Sequence, residues 1–528
     1  MRVGCAPIRQ DRVVTDQRPT IPALLARSAR DFGAHAYLIT PSDRVSYAEA
    51  RQRSGELARR LLRRGIGKGT RVGLLFANDV EWVLWWLALS RIGAVVVPLS
   101  TLYRPAEIGK VLRLADAAML IAPSKLLGND IADGVEAALP KLAGQRAGDI
   151  ALTGAPYLRE ILITDGSDRS WASPLPAAHV AAEVLAAAER EVSAADPAVM
   201  IHTSGSTADP KGVLHTHGTL VRQTSGWPDA VRAITGSGDE ARVLCAMPFF
   251  WVGGLLAVTG ALHAATAVVT MPRFDAGTAL DLVERERVTG IIGWPSFTQQ
   301  LREHPSFATR DLSSAPMLRD GPLDIAMTDV PDGYPVHRTM TETAGGFAFT
   351  DLAIVDETGA PVPEGTVGEL LVRGIGVMAG YNKRERWDTF DADGWFHTGD
   401  RVYRREGDPR LFYVGRSTDL IKVAGANVSP LEVEAVIDEL PAVAQCVVVG
   451  LDHPQRGEQV CAVVVPQGPR ESVDIAVLTA AARDRLSAYK IPTQWVVTTS
   501  DRIPTLPSGK LDRRALRSSI ATGELIRE

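Results

Sequence analysis

The stretch from Ile201 to Gly212, Ile-His-Thr-Ser-Gly-Ser-Thr-Ala-Asp-Pro-Lys-Gly, packs hydroxyls, glycines and a lysine into a dozen residues directly after the apolar run Val199-Met200-Ile201. A strand feeding such a loop can turn backbone N–H groups inward and add hydroxyl donors, which suits a phosphate or pyrophosphate. Thr203, Ser204, Gly205, Ser206, Thr207 and Lys211 are the candidate ligands. This is not the nucleotidase P-loop, because Gly212 follows Lys211 where a Ser or Thr would be needed for Mg²⁺, and the glycine spacing is absent. A plain solvated turn is the competing reading, and only the rest of the chain separates the two.

At 528 residues the chain is too long for one compact domain. Its 57 basic and 62 acidic residues leave a net charge of −5 with no long single-sign run, which argues against nucleic acid as a partner. Cys5, Cys245, Cys446 and Cys461 are scattered, without metal-ligand spacing, so neither a disulfide framework nor a zinc site is indicated, and a reducing cytoplasmic residence is expected. Arg2, Arg9, Asp11 and Arg12 precede any apolar run, the wrong pattern for a secretory signal. Trp82 to Leu99 is interrupted by Arg91, and Leu255 to Met271 carries Gly260 and His263. Both read as buried core, so no membrane insertion is expected.

Ser46 to Glu49 forms a capping box that opens an amphipathic helix running to about Arg64, where Gly65 and Gly67 stop it. Strand-like Val72–Phe76 and Ala94–Pro98 then alternate with helices at Val80–Arg91 and Pro105–Leu114, the pattern of a parallel sheet covered on both faces. Ala132 to Ala195 has weak periodicity and reads as surface connection and helix. Alternation resumes with Arg242–Met247, a Leu255–Leu262 helix, Ala267–Met271, an Ala279–Arg287 helix and Gly290–Gly293. Short β runs split by turns from Asp351 to Arg373 suggest a small antiparallel barrel. Past Gly415 the order is helix (Pro430–Asp438), strands (Cys446–Gly450, Val460–Val465), helix (Ile475–Ser487), strand (Gln494–Val497) and a last helix after Lys510. The expected architecture is a large α/β N-terminal domain of stacked, mostly parallel sheets with helices and a small β-barrel over residues 1–414, and a small, mobile α+β C-terminal domain over residues 415–528.

Thr-Ser-Gly-Ser-Thr-Ala-Asp-Pro-Lys-Gly resembles the TSG[ST]TGxPKG signature of the adenylate-forming superfamily, which includes acyl-CoA synthetases and adenylation domains. The similarity continues in the family's order with Met340–Thr343 (MTET), Asp393–Asp400 (DGWFHTGD), Gly415–Glu434 (GRSTDLIKVAGANVSPLEVE) and Pro507–Arg513 (PSGKLDR). The resemblance implies an acid–thiol ligase that forms an acyl-AMP from ATP and then passes the acyl group to CoA. It implies that Lys510 bridges the carboxylate and α-phosphate during adenylation, that Glu342 holds Mg²⁺ and that Thr341 faces the phosphates. Asp400 would accept the ribose hydroxyls, and Arg416 would contact the same sugar. The family's small domain pivots between the half-reactions, here at Thr418, and the segment Ala424-Gly425-Ala426 matches the one beside the pantetheine arm. Phe249, Phe250, Trp251, Gly253 and Trp294 are candidates for an apolar acyl pocket suited to a bulky hydrophobic carboxylic acid, though each aromatic is equally compatible with ordinary core.

Departures from the family cluster at the nucleotide. Asp320-Gly321-Pro322 stands where relatives have a longer turn, and at the adenine-binding positions Arg338 replaces a stacking tyrosine and Thr339 a glycine. Thr343 to Leu352 is too brief for the family's GRPxPG segment, and Ala208 replaces the glycine that ends the phosphate loop. These changes imply a ligase whose adenylation step is weakened or lost, taking acyl-AMP from a separate adenylating enzyme, with Mg²⁺ needed only where adenylation is retained. The shortened segment is also similar to diterpenoid-acid CoA ligases of actinomycete natural product biosynthesis. Three alternatives stand beside this: a complete ATP-dependent fatty or aromatic acyl-CoA synthetase, a silent acyl-nucleotide or CoA binder, and an enzyme loading a carrier protein. The oligomeric state, a homodimer among the choices, is open.

Overall fold

The computed structural model describes residues 18–203, 209–235, 241–293, 295–320, 350–407, 411–416, 420–469, 473–504 and 511–525. Its largest sheet has eight strands in the spatial order Gly380–Tyr381, Lys211–Thr216, Pro197–Thr203, Val95–Pro98, Arg71–Leu74, Met119–Ala122, Glu160–Ile163 and Ala172–Ser173. Its pairs are parallel from Pro197–Thr203 through Ala172–Ser173, and antiparallel at the end that carries the phosphate-loop hairpin. A second sheet runs Gly290–Ile292, Arg242–Cys245, Ala267–Val269, Ala36–Ile39 and Arg44–Ser46.

The helix Val80–Arg91 lies in the core between these layers with every residue but Glu81 buried. Asp79 caps it, accepting from the Trp82 N–H at 2.8 Å. Trp82, Trp85 and Trp86 are among the largest fully buried side chains, each removing about 150–250 Å² from water. The one cation on this helix, Arg91, is neutralised by Glu189 at 2.5 Å and hydrogen-bonded to Ser54 at 3.0 Å. Twelve residues are too few to span a bilayer, and no helix among the described residues is long and apolar enough to cross a membrane.

The expected capping box is present: Ser46 caps the Tyr47–Arg63 helix, accepting from the Glu49 N–H while Glu49 accepts from the Ser46 N–H. Ala132 to Ala195 holds more than surface connection, because Glu160–Ile163 is an interior strand of the large sheet. The runs from Asp351 onward pair as an antiparallel four-stranded sheet, Asp351–Val355, Gly368–Arg373, Phe396–Tyr403 and Phe412–Arg416. No pair between the first and last of these closes it into a barrel among the described residues.

In the small domain Val443–His453 and Gly457–Pro466 form a long hairpin, extended by Gln494–Val497 in parallel and by the short hairpin Ile421–Val423 and Ala426–Val428. Period-two alternation splits its side chains between two cores. Cys446, Val448, Ala462 and Val464 pack with the helices Pro430–Asp438 and Ile475–Arg485, whereas Val447, Val449, Cys461 and Val463 pack with Arg513–Ala521 and Leu511.

Candidate active site

The phosphate loop joins two antiparallel strands whose last pairs are His202 with Gly212 and Thr203 with Lys211. Ser204, Gly205, Ser206 and Thr207 lie outside the described residues, as does Ala208. The two arms pack closely on each other, and the outgoing one is also held from outside. A Cβ on Gly212 would fall 2.8 Å from Met200 Sδ and 3.2 Å from His202 Nε2, so a side chain there would displace both. On the outgoing arm Asp209 pairs with Lys110 of the Pro105–Leu114 helix at 2.7 Å. Burial pushes the His202 imidazole down to about 4, with Lys383 adding to the effect, so it is neutral beside the loop.

Lys211 is the cation the loop offers. Its Nζ sits 5.3 Å from the centre of the Tyr381 ring, and burial, followed by repulsion from Arg384, lowers its pKa. An ammonium only partly hydrated gains more from an arriving phosphate oxygen than one already solvated. Tyr381 arrives through the edge strand Gly380–Tyr381, which pairs with Val213 and Leu214. The same ring meets Phe396 edge-on at 6.3 Å, and Phe396 opens the strand that carries Asp400. One aromatic thus joins Lys211 to the strand that carries Asp400. The sequence reading missed Tyr381, whose role comes from strand pairing across a long separation in the chain.

Asp400 and Arg416 face each other as paired Cα positions on adjacent antiparallel strands. The approach to Asp400 is strictly organised. Thr398 Oγ1 accepts from the Asp400 N–H at 3.0 Å and donates to the Leu370 carbonyl at 2.7 Å, and the Gly399 N–H donates to Glu369 at 3.0 Å. Gly399 has a φ of 71°, a turn for which glycine is suited. A carboxylate opposite a guanidinium-bearing position, on a sheet next to a phosphate loop, can grip a diol and balance a phosphoryl charge.

The proposed acyl wall is built differently from the expectation. Phe249 is fully buried in the central core against Trp82, with ring centres 5.4 Å apart, so it packs as core and does not line an open pocket. Its loop is clamped by Asn78, which donates to the Met247 carbonyl at 2.9 Å and accepts from the Phe249 N–H at 2.8 Å. Phe250 packs edge-on against half-buried Trp251, with centres 5.5 Å apart. Trp251 precedes the Val252–Gly260 helix, which starts earlier than expected. A Cβ on Gly253 would lie 2.6 Å from the end of the flexible Met247 side chain, while one on Gly254 would lie 2.3 Å from the Pro248 carbonyl oxygen. Cys245, just before this loop, is a buried thiol pushed up to about 12 by desolvation.

Ala424 and Gly425 form a two-residue turn between Val423 and Ala426, with φ of 48° and 85°. Ala424 is exposed and Gly425 half-buried, whereas Ala426 is buried, so of the three only the turn itself is open to solvent. Lys510, Glu342, Thr341, Gly321, Arg338, Thr339, Thr418 and Trp294 lie outside the described residues. Among the sequence-selected residues, the structure describes Thr203, Lys211, Asp400, the Arg416 backbone, the 424–426 turn and the Phe249–Gly253 loop.

The AMP-binding enzyme family matches residues 25–322, and the AMP-binding enzyme C-terminal domain matches residues 432–510. A feruloyl-CoA synthase from an Amycolatopsis species is 31% identical over 504 residues, covering 90% of this chain and 93% of that protein. The 3-[(3aS,4S,7aS)-7a-methyl-1,5-dioxo-octahydro-1H-inden-4-yl]propanoyl:CoA ligase of Mycobacterium tuberculosis is 30% identical over 541 residues, covering 96% and 99% of the two chains. Among solved structures, amide bond synthetase McbA from Marinactinospora thermotolerans superposes with a TM-score of 0.72 at 26% identity, over 94% of this chain and 99% of its own. A paired phosphate-loop hairpin, an Asp400–Arg416 strand pair and a separate small domain, together with these matches, place the chain in the AMP-binding enzyme family, within its acyl-CoA ligase branch, as an acid–thiol ligase.

Proposed function

We propose that this ligase joins CoA to a bulky, hydrophobic, polycyclic acid of the diterpenoid kind. In this reading its adenylation half-reaction is weakened, so that an acyl adenylate made by a separate enzyme is its natural substrate. The observation that carries the reading is a contrast along the nucleotide site. The sugar and thiol ends keep their parts, Asp400 opposite Arg416 and the Ala424–Gly425 turn, while Arg338 and Thr339 stand where a stacking ring and a glycine belong and Ala208 closes the phosphate loop. An alanine there lacks the freedom of glycine at positive φ. The ring-bearing acids in the names of the relatives suit a large apolar substrate.

In thioester formation the CoA sulfur attacks the acyl carbon, the carbon–oxygen bond to the phosphate breaks, AMP leaves and the thiol proton passes to solvent. Asp400 and the Arg416 position hold the nucleotide by its sugar, Lys211 meets phosphate oxygens, and the Ala424–Gly425 turn gives the arm of CoA a close backbone approach. Where adenylation operates, Mg²⁺ held by Glu342 would neutralise polyphosphate charge. The scattered cysteines suit a cytoplasmic site of action.

A complete ATP-dependent synthetase is the second reading, favoured by the partly desolvated Lys211 ammonium beside Tyr381. ATP–pyrophosphate exchange with a panel of acids, run in parallel with the preformed adenylates plus CoA, distinguishes the two. Thioester from supplied adenylate with exchange at least a hundredfold slower is the expected result. Exchange as fast as thioester formation overturns the weakened-adenylation reading and leaves the complete synthetase.

A further inference from the structure

Two helices meet a single ammonium across the seam between the large and small domains. The large-domain helix Pro105–Leu114 and the small-domain helix Pro430–Asp438 both have proline in the first turn and a glutamate two residues after it, Glu107 and Glu432. Lys490 Nζ donates to Glu107 Oε1 at 2.7 Å and to Glu432 Oε1 at 2.9 Å. The other oxygen of Glu107 accepts from Ser487 Oγ at 2.6 Å and from the Arg104 N–H at 2.8 Å. Lys490, Glu107 and Glu432 are only 4%, 7% and 6% exposed. The rings of Tyr103 and Tyr489 flank the ammonium at 6.0 and 5.7 Å.

Charges this deeply buried are costly unless every partner is present. Within the small domain Lys490 keeps Glu432 whatever the domain arrangement; Glu107 is the partner that only docking supplies. The small domain would therefore tolerate loss of Glu107, while its docked orientation would not.

The docked face is informative. Glu432 and Lys490 belong to the side of the small-domain sheet covered by Pro430–Asp438, whereas Leu511 and the Arg513–Ala521 helix pack on the opposite side. The Ala424–Gly425 hairpin runs through Val428 directly into the docked helix. The orientation seen here thus puts the thiol-side turn on the element that touches the large domain and the segment after Lys510 on the far face.

We infer that Glu107 is a positioning residue for thioester formation: through Lys490 it latches the small domain in the orientation that serves sulfur attack, and the domain turns only when this contact parts. The inference rests on the ligase reading above, in which Lys510 serves adenylation and the 424–426 turn serves CoA.

The test uses the full-length chain with Cys5→Ser and fluorophores on cysteines introduced at the exposed positions Tyr157 and Val477, one in each domain; Cys245, Cys446 and Cys461 are buried. Single-molecule energy transfer is compared for the parent, Glu107→Gln, and the charge exchange Glu107→Lys with Lys490→Glu, which again supplies two carboxylates and one ammonium. In Glu107→Gln the dominant parental population should fall at least twofold. Turnover of supplied acyl adenylate with CoA should fall at least tenfold in kcat, with KM for the adenylate within threefold. The exchanged pair should recover at least half of both effects. An unchanged distance distribution in Glu107→Gln, a loss confined to KM, or no recovery in the exchanged pair overturns the inference. Should the parent fail to convert the adenylate, the proposed function falls, while the distance measurement still judges the latch.

Discussion

Ala424 holds a φ of 48° in the first position of a two-residue hairpin turn. A Cβ in that region costs about 1–2 kcal/mol, and Asn-Gly is the pair such turns favour. Ala424→Asn should therefore stabilise the small domain by about 0.5–1 kcal/mol, read from the midpoint of urea unfolding. Residues whose proposed chemistry depends on type and spacing, such as Lys211 and Asp400, stand out in the sequence itself. Tyr381 and Glu107 do not. Each acquires its role from a partner far along the chain, Tyr381 from Lys211 and Glu107 from Lys490, and neither sits in a local pattern that distinguishes it from a strand aromatic or a helix-opening acid. Phe249 stays between pocket and core in the sequence for a related reason: an aromatic beside a pocket and one within the core look alike until packing places it, here fully buried against Trp82.

Helices were read more faithfully than strands. Pro105–Leu114 and Val80–Arg91 have the expected bounds, the first from periodicity and the second from sheer apolar mass. The Glu160–Ile163 strand escaped notice because a four-residue strand interior to a parallel sheet carries no alternation to read. The short β runs after Asp351 suggested closure, which only pairing between the outer strands could establish. The loop Met247–Gly254 illustrates how an element is made rigid from outside. Asn78→Ala would leave the Met247 carbonyl and the Phe249 N–H without their partner, and about 2 kcal/mol of destabilisation is expected from such orphaned groups. A rise in KM for the acid larger than the fall in kcat should accompany it. Gly254→Ala drives a Cβ onto a backbone oxygen, where no rotamer gives relief, and should cost about 1–3 kcal/mol in thermal unfolding.

Across the whole molecule, stability depends on neutral imidazoles. Burial pushes His202, His215, His217 and His263 down to about 4. The unfolded chain binds these protons near pH 6.5, so the stability they permit is fully present above that value and is lost as pH falls toward 4. Each histidine contributes on the order of 1 kcal/mol per pH unit in this window. Asp79, raised by burial to about 6, works the other way, its contribution being lost as pH rises through that value. Burial raises Glu81 and Asp438 in the same sense as Asp79, but the four imidazoles shift furthest in this window, so Tm should drop between pH 6.5 and 4.5; a flat profile would show that these imidazoles reach water. The change of pattern near Gly415 suggests a two-part division, but the seam leaves no trace in the sequence, since nothing in a lysine following a tyrosine announces a carboxylate in another domain.

Burial of the thiols bears on selectivity. An enzyme that keeps an energised acyl group waiting for sulfur is at risk from its own sulfur. Desolvation pushes Cys245 and Cys461 up to about 12 and raises Cys446 well above the ordinary thiol value, so at physiological pH none of these three is an ionised nucleophile. The protein withholds its interior sulfhydryls from the very reaction it promotes, and self-acylation gives way to delivery to the visiting one.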